Sequence, residues 1–205
     1  MEGGSHVRWT SMEQVTEGPG GPVARGEGHE SARGEIIVRR ARTADVRAIR
    51  RLVDIYSGAG LRLLKKATVT LYEDVQEFWV AELNGRVVGC GALHVLWEDL
   101  AEIRTVAVDP AFKGYGIGHR LVSALIATAR DLGLERVFCL TFEVDFFAGH
   151  GFRPINGTPV APEVYAELLA SYDEGVAEFL DLEHVKPNTL GNTRMLLHLE
   201  ADPRG

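Results

Sequence analysis

Cysteine is scarce in this chain: Cys90 and Cys139 are its two among 205 residues, far apart and each inside an apolar run. That gives no support to a disulfide-stapled secreted fold, and buried free thiols suited to a reducing cytosol are expected. No apolar run approaches the roughly 20 residues that a bilayer span needs. The first residues lack the apolar core of a secretory signal. Basic charge is short as well, with 22 Lys and Arg against 29 Asp and Glu and a net charge of −7. A nucleic-acid or anionic-membrane partner is therefore not expected. An anionic ligand would have to be held by a local site, because the field of the whole protein opposes it. What the chain does have is 45% hydrophobic residues, enough to bury a core, and its length predicts one domain plus a tail.

The tail is expected at the start. Residues 1–35 hold eight of the 23 glycines, with Pro19, Pro22 and scattered Ser and Glu, and show no apolar period. They read as a disordered leader that chemistry does not need, followed by one folded domain over 36–205. Ile36 to Arg40 reads as a strand. Thr43 is placed to N-cap a helix whose Val46, Ile49, Val53 and Tyr56 share one face. A second helix is predicted over about Val69–Gln76. Strands at Phe78–Leu83 and Arg86–Val95 flank Asn84-Gly85, a strong hairpin signal. Ala101–Val108 is the next strand, and Gly118–Asp131 a helix that turns Leu121, Leu125, Ala129 and Leu132 inward, with Gly133 at its C-terminus. Arg136–Thr141 reads as a buried strand, Val144–His150 as a short helix and Pro162–Tyr172 as another. Phe179–Leu182 and Arg194–Leu199 read as closing strands.

The most informative stretch joins two of these elements. After Val106-Ala107-Val108-Asp109-Pro110 comes Lys113-Gly114-Tyr115-Gly116-Ile117-Gly118-His119, and a helix follows at once. A strand, a glycine-rich loop and a helix start present backbone N–H groups to a phosphate. The dinucleotide fingerprint fails on spacing, because position 119 is His where a third glycine belongs. The triphosphate loop fails too, since no Gly-Lys-Ser/Thr run is present. Lys113-x-x-Gly116-x-Gly118 after a strand closely resembles the acetyl-CoA loop of the GCN5-related N-acetyltransferases, written Gln/Arg-x-x-Gly-x-Gly/Ala. Lys113 departs from the usual first residue but is still a hydrogen-bond donor. A plain glycine turn is the alternative.

The resemblance covers about Ile36 to Leu199 and implies an α/β fold, a central mixed sheet of about six to seven strands with flanking helices. It implies acetyl-CoA as acetyl donor and no metal. It also implies that the strands before and after the cofactor helix are parallel and splay apart, with the pantetheine arm in the opening. Backbone groups of Val106, Ala107 and Val108 would pair with that arm, and the amides from Gly114 to His119 would take the pyrophosphate. Glu102, which opens this strand, would be the general base; a solvated strand-end charge is the alternative. Arg104 shares its face and would pair with it and lower its pKa, or bind a substrate carboxylate; a surface ion pair is the alternative. The Tyr that many members use as general acid is missing: Phe146-Phe147-Ala-Gly-His150-Gly151-Phe152 has Phe147 in that slot. Tyr115, Cys139, Thr141 or water remain as donors. His150 reads as a helix C-terminal contact.

Within that family the chain most resembles the N-acetylglutamate synthase branch. The matching segments are Glu102-Ile-Arg-Thr-Val-Ala-Val-Asp-Pro, Leu63-Leu64-Lys65-Lys66, Cys139-Leu-Thr141, and Asn192-Thr-Arg194-Met-Leu-Leu. This implies acetylation of the α-amine of L-glutamate or L-glutamine, the first step of arginine biosynthesis. Lys65, Lys66, Arg104, Thr141 and Arg194 would then be candidate substrate ligands. Two departures stand out. Only a short leader stands where an amino-acid-kinase domain usually does. The branch's Thr-Thr-Arg segment reads Thr141-Phe142-Glu143, and an acidic Glu143 would repel glutamate and tolerate a neutral amide. The expected partners are a small amino acid and acetyl-CoA, and a homodimer is an open expectation. The alternatives are a protein N-terminal or other small-amine acetyltransferase, favoured by the acids Glu73, Asp74, Glu77, Glu98 and Asp99, and a non-catalytic acetyl-CoA-binding module.

Overall fold

The computed structural model describes residues 34–57, 66–183 and 191–200. They build a seven-stranded sheet in the order β1-β2-β3-β4-β5-β7-β6. The strands are β1 (Ile36–Arg40), β2 (Phe78–Leu83), β3 (Arg86–Trp97), β4 (Leu100–Val108), β5 (Arg136–Thr141), β6 (Arg153–Pro154) and β7 (Thr193–His198). The helices are α1 (Val46–Ser57), α2 (Thr68–Glu73), α3 (Ile117–Asp131), α4 (Val144–Ala148), α5 (Pro162–Leu168) and α6 (Glu174–Phe179). The β4–β5 pair is parallel and the other neighbours are antiparallel, so the sheet is mixed as expected. No helix of the described residues is long and apolar enough to cross a membrane.

Alternating residues send the strands' side chains to two layers. Ala101 and Ile103 of β4 pack with Val122, Leu125 and Phe147, so α3 and α4 cover one face. Leu100, one residue off, packs with Val176, Phe179 and Leu180 of the opposite layer. On that second face α1 and α2 bury Ile49, Leu52, Val53 and Leu71 against Phe78, Cys90 and Ala92. Two apolar clusters thus flank the middle of β4 on one face, and Glu102 lies between them.

Several elements differ from the sequence reading. Thr43 does not cap α1; Thr43–Asp45 is a 3-10 turn in which the Asp45 carboxylate accepts from Arg42 N at 2.8 Å and from Arg39. Arg39 binds both Asp45 and Glu82 and fastens this turn to the sheet. Leu132 is 57% exposed, and Val122 and Ile126 fill the inward face of α3 in its place. The second helix stops at Glu73, and a 3-10 turn, Val75–Glu77, completes the segment. The helix begun at Pro162 ends at Leu168, leaving Tyr172 fully exposed. Phe179–Leu182 is not a strand. Phe179 ends α6, whose start is capped by the Asp173 carboxylate accepting from Val176 N at 3.0 Å. That apolar run is buried against Phe138 from a helix, where length and hydrophobicity do not tell the two elements apart.

Candidate active site

The parallel pair at the centre of the sheet is short. β4 and β5 are matched at Leu100 with Arg136, Ala101 with Val137 and Glu102 with Phe138, and no further. β4 continues to Val108, so from Ile103 onward it is no longer paired with β5. On its other side β4 is irregular. Cys90 faces Ala107 and Ala92 faces Arg104, so Thr105 and Val106 together oppose Gly91. Thr105 holds φ +59°, which is rare for a β-branched residue and marks stored strain at this bulge. A bulge re-aims the backbone groups of Val106 and Ala107 relative to a regular ladder. The Val108 carbonyl accepts from the Tyr56 hydroxyl at 2.5 Å, which ties the end of α1 to this strand; the sequence reading assigned Tyr56 to the core alone.

Past Val108, Asp109 caps a 3-10 turn by accepting from Ala111 N at 3.1 Å and pairs with Arg86 at 2.8 Å. Gly114 and Gly116 follow with φ +86° and +72°, and a Cβ on either would meet nothing within 4 Å. The backbone is bare there. Gly116 caps α3, whose first amides, at Ile117, Gly118 and His119, have no acceptor within the helix. The 15-residue helix adds the positive end of its dipole to these amides. Gly118 packs closely, since a Cβ would come within 3.3 Å of the Phe146 ring, which would have to shift by a few tenths of an ångström. Tyr115 is 47% exposed and lies edge-on to Phe112. The His119 and His150 rings bond to each other at 2.9 Å beside Phe146. His150 is therefore joined to the loop helix, a contact that its place before Gly151 did not indicate. Lys113 is exposed at the loop mouth.

Glu102 is buried, at 4% exposure, and its Oε2 has no hydrogen-bond partner. Burial, with Glu178 and Asp173 nearby, pushes its carboxyl up to about 8, against the pull of Arg104 and Lys66. The expected net lowering by Arg104 is thus overturned, because desolvation is the larger effect. Arg104 does not ion-pair with Glu102 either. Its Nη1 donates to Asp173 at 2.7 Å and its Nη2 to Glu77 at 3.1 Å, with Asp74 at 3.8 Å. Lys66 lies half-buried on Asp74 at 3.1 Å. His94, opposite Glu102 in the ladder, meets Glu77 at 2.6 Å. Glu178 is also pushed up, to about 7, by burial and by Glu174 and Asp173, while Arg104 helps hold Asp173 down at about 2. These residues form a charged cleft between the α2 segment and α6.

The remaining sequence candidates fall unevenly. Lys65 lies outside the described residues. Thr141 is buried at the end of β5, and its oxygen accepts from Glu143 N at 2.9 Å, which leaves the hydroxyl proton to donate. Arg194 is half-buried. It donates one bond each to the carbonyls of Gly157, Glu178 and Phe179 and stacks on Phe138, so it anchors α6. Glu77 and Asp74, first read as part of an acidic surface, are cleft residues, whereas Asp99 pairs with Arg136 at 2.6 Å elsewhere. Phe147 is 6% exposed and packs on Phe152, so no proton donor stands in the Tyr slot. Burial pushes the thiols of Cys139 and Cys90 up, that of Cys90 to about 12. The α6 contributors Asp173, Gly175 and Glu178 were missed; the one available signal was Asp173 three residues before Val176, a helix-capping spacing.

The model of the acetyltransferase (GNAT) family matches residues 49–152, a range that includes Glu102, the glycine loop and the helix after it. The chain belongs to the GNAT acetyltransferase family. Among its GNAT relatives, the amino-acid acetyltransferase of Mycobacterium tuberculosis is 68% identical over 166 residues, 80% of this chain and 94% of that protein. An amino-acid acetyltransferase of Pseudomonas putida is 29% identical, but the chain spans only 35% of its length. Among solved structures, Rv2747 of M. tuberculosis in complex with CoA and NLQ has a TM-score of 0.78 at 68% identity, covering 80% of this chain and 99% of that one. The N-acetylglutamate synthase of Neisseria gonorrhoeae, complexed with coenzyme A and N-acetyl-glutamate, shares the fold with a TM-score of 0.64 at 24% identity, covering 81% of this chain and 35% of that one.

Proposed function

We propose that this GNAT protein transfers the acetyl group of acetyl-CoA to the α-amine of L-glutamine or L-glutamate, as the entry step of arginine biosynthesis. The observation that carries the reading is Glu102, buried with an unpartnered oxygen at the point where β4 and β5 part. A carboxyl with a pKa of about 8 is well matched to accept the proton of an α-ammonium group. The freed amine attacks the thioester carbonyl carbon, a C–N bond forms and the C–S bond breaks. Glu102 keeps the first ammonium proton; the nitrogen's second proton, lost as the C–S bond breaks, passes through solvent or relayed by the Thr141 hydroxyl, which regains one as it gives one, to the thiolate of coenzyme A. Val106 and Ala107 supply backbone groups to the pantetheine arm at the bulge. Lys113 and the amides from Gly114 to His119 hold the pyrophosphate.

For the acceptor, Lys66 is the cation best placed for the α-carboxylate, with Lys65 next to it in sequence. Asp74, Glu77 and Asp173 already surround the cleft's two cations. A second carboxylate on the acceptor adds to that negative charge, whereas a neutral amide does not. Glutamine is therefore expected to be accepted at least as well as glutamate. The test is thiol release from acetyl-CoA with a panel of amino acids. The expected result is turnover with glutamine at a kcat/KM equal to or above that with glutamate. A strong preference for glutamate removes the charge argument, and turnover only with a peptide N-terminus or a polyamine overturns the amino-acid reading. Tight acetyl-CoA binding without any turnover makes the protein a binding module.

A further inference from the structure

Arg104 stands two residues beyond Glu102 on the same face of β4, where a direct ion pair is the simple expectation. It is held elsewhere. Asp173 takes Nη1 from the α6 side of the cleft, and Glu77 takes Nη2 from the turn after α2. One guanidinium, only 8% exposed, thus joins both walls above Glu102. Asp173 is also the cap of α6, so the pair fixes where that helix begins. Gly175 lets it approach: a Cβ there would lie 2.7 Å from Arg104 Nη1, 2.9 Å from Asp173 Oδ1 and 3.6 Å from Glu102 Oε2. The guanidinium is held by two half-buried carboxylates, so a Cβ at Gly175 would have to displace it from them.

We propose that Arg104 is a positioning residue that clamps α6 to the α2 segment beside Glu102 and, with its two terminal nitrogens held by Asp173 and Glu77, leaves Glu102 without a direct ion pair. The proposal rests on Glu102 being the base. The other groups facing Glu102 are also engaged or neutral. Lys66 is on Asp74, and His94 of β3 is on Glu77. Arg194 of β7 is on backbone carbonyls, and the Cys139 thiol of β5 is kept protonated by burial. Glu178 shares the raised range of Glu102, and Glu174 opposes ionisation of Glu178 from solvent. The clamp therefore controls how much positive charge Glu102 feels.

Two substitutions push Glu102 in opposite directions. Asp173→Asn removes an anion and releases positive charge from Arg104 toward Glu102, so the acid limb of the kcat–pH profile should move down by about one unit. Arg104→Gln removes the nearest cation, and the limb should move up by about one unit. Amide exchange over residues 174–179 should quicken in both, while KM for acetyl-CoA stays within twofold. Unmoved limbs, with kcat lowered equally at every pH, overturn the proposal as an ordinary loss of structure. If Arg104→Gln does not fold, Asp173→Asn alone decides it: Asn still caps α6, so quickened exchange over residues 174–179 reports the lost clamp and unchanged exchange overturns it. Glu102→Gln separates the two levels. A limb that survives in Glu102→Gln refutes the base assignment, and the exchange rates of α6 still decide whether the clamp exists.

Discussion

At Glu102 three effects compete for one proton. Burial and the carboxylates Asp173 and Glu178 favour the neutral acid, while Arg104 and Lys66 favour the anion; burial prevails and the pKa lies at about 8. The sign for stability follows. The unfolded chain releases this proton near 4.5 and the folded chain near 8, so between those values the folded state binds more protons and stability falls as pH rises. Glu102→Gln should therefore melt level with the parent near pH 4 and above it at pH 9, by on the order of 5 °C for a chain of this size. Calorimetry across that range checks it. In the same variant kcat should drop at least ~100-fold, the usual worth of a positioned base. A melting point that gains nothing at high pH would mean that Glu102 ionises freely.

The element proposed to hold acetyl-CoA is the loop into α3. The role proposed for it is a backbone one, so side-chain changes should matter only where they block approach or strain φ. Gly116 is the sensitive position, with φ +72° at the helix cap and open space where a ligand's phosphates would lie. Gly116→Ala should cost about 1 kcal/mol through strain. It should also raise KM for acetyl-CoA tenfold or more while sparing KM for the amino acid. Steady-state kinetics with each substrate varied in turn would show it, and equal loss on both sides would count against the loop's assignment. α6 is the contrasting element. Its apolar residues Val176, Phe179 and Leu180 are legible, but its helical state and its place beside Glu102 are not. A six-residue segment carries too little period to separate helix from buried strand.

At the scale of the whole molecule, the described core clusters draw their residues from Ile36 to Leu199. Residues 1–33 carry no apolar period in the sequence, so a chain without them should keep its kcat and both KM values within twofold and show a parent-like melting curve. A large loss on truncation would give the leader a role in the chemistry or in stability. Local signals in the sequence determined much of the rest: the hairpin at Asn84-Gly85, the inward face of α1, most of that of α3, and the glycine loop between β4 and α3. These are written in adjacent residues, because turn conformation and helical period depend on near neighbours. Glu102 as a candidate acid was legible for the same reason, by its place at the head of a strand. Its protonation was not, because desolvation depends on what covers it, and α6 reaches it from some 70 positions away in the chain, where Arg104 meets Asp173. The fates of Arg104 and Arg194 were likewise decided only in three dimensions. A guanidinium binds whichever acceptors the fold brings nearest, and burial then makes those bonds too costly to break.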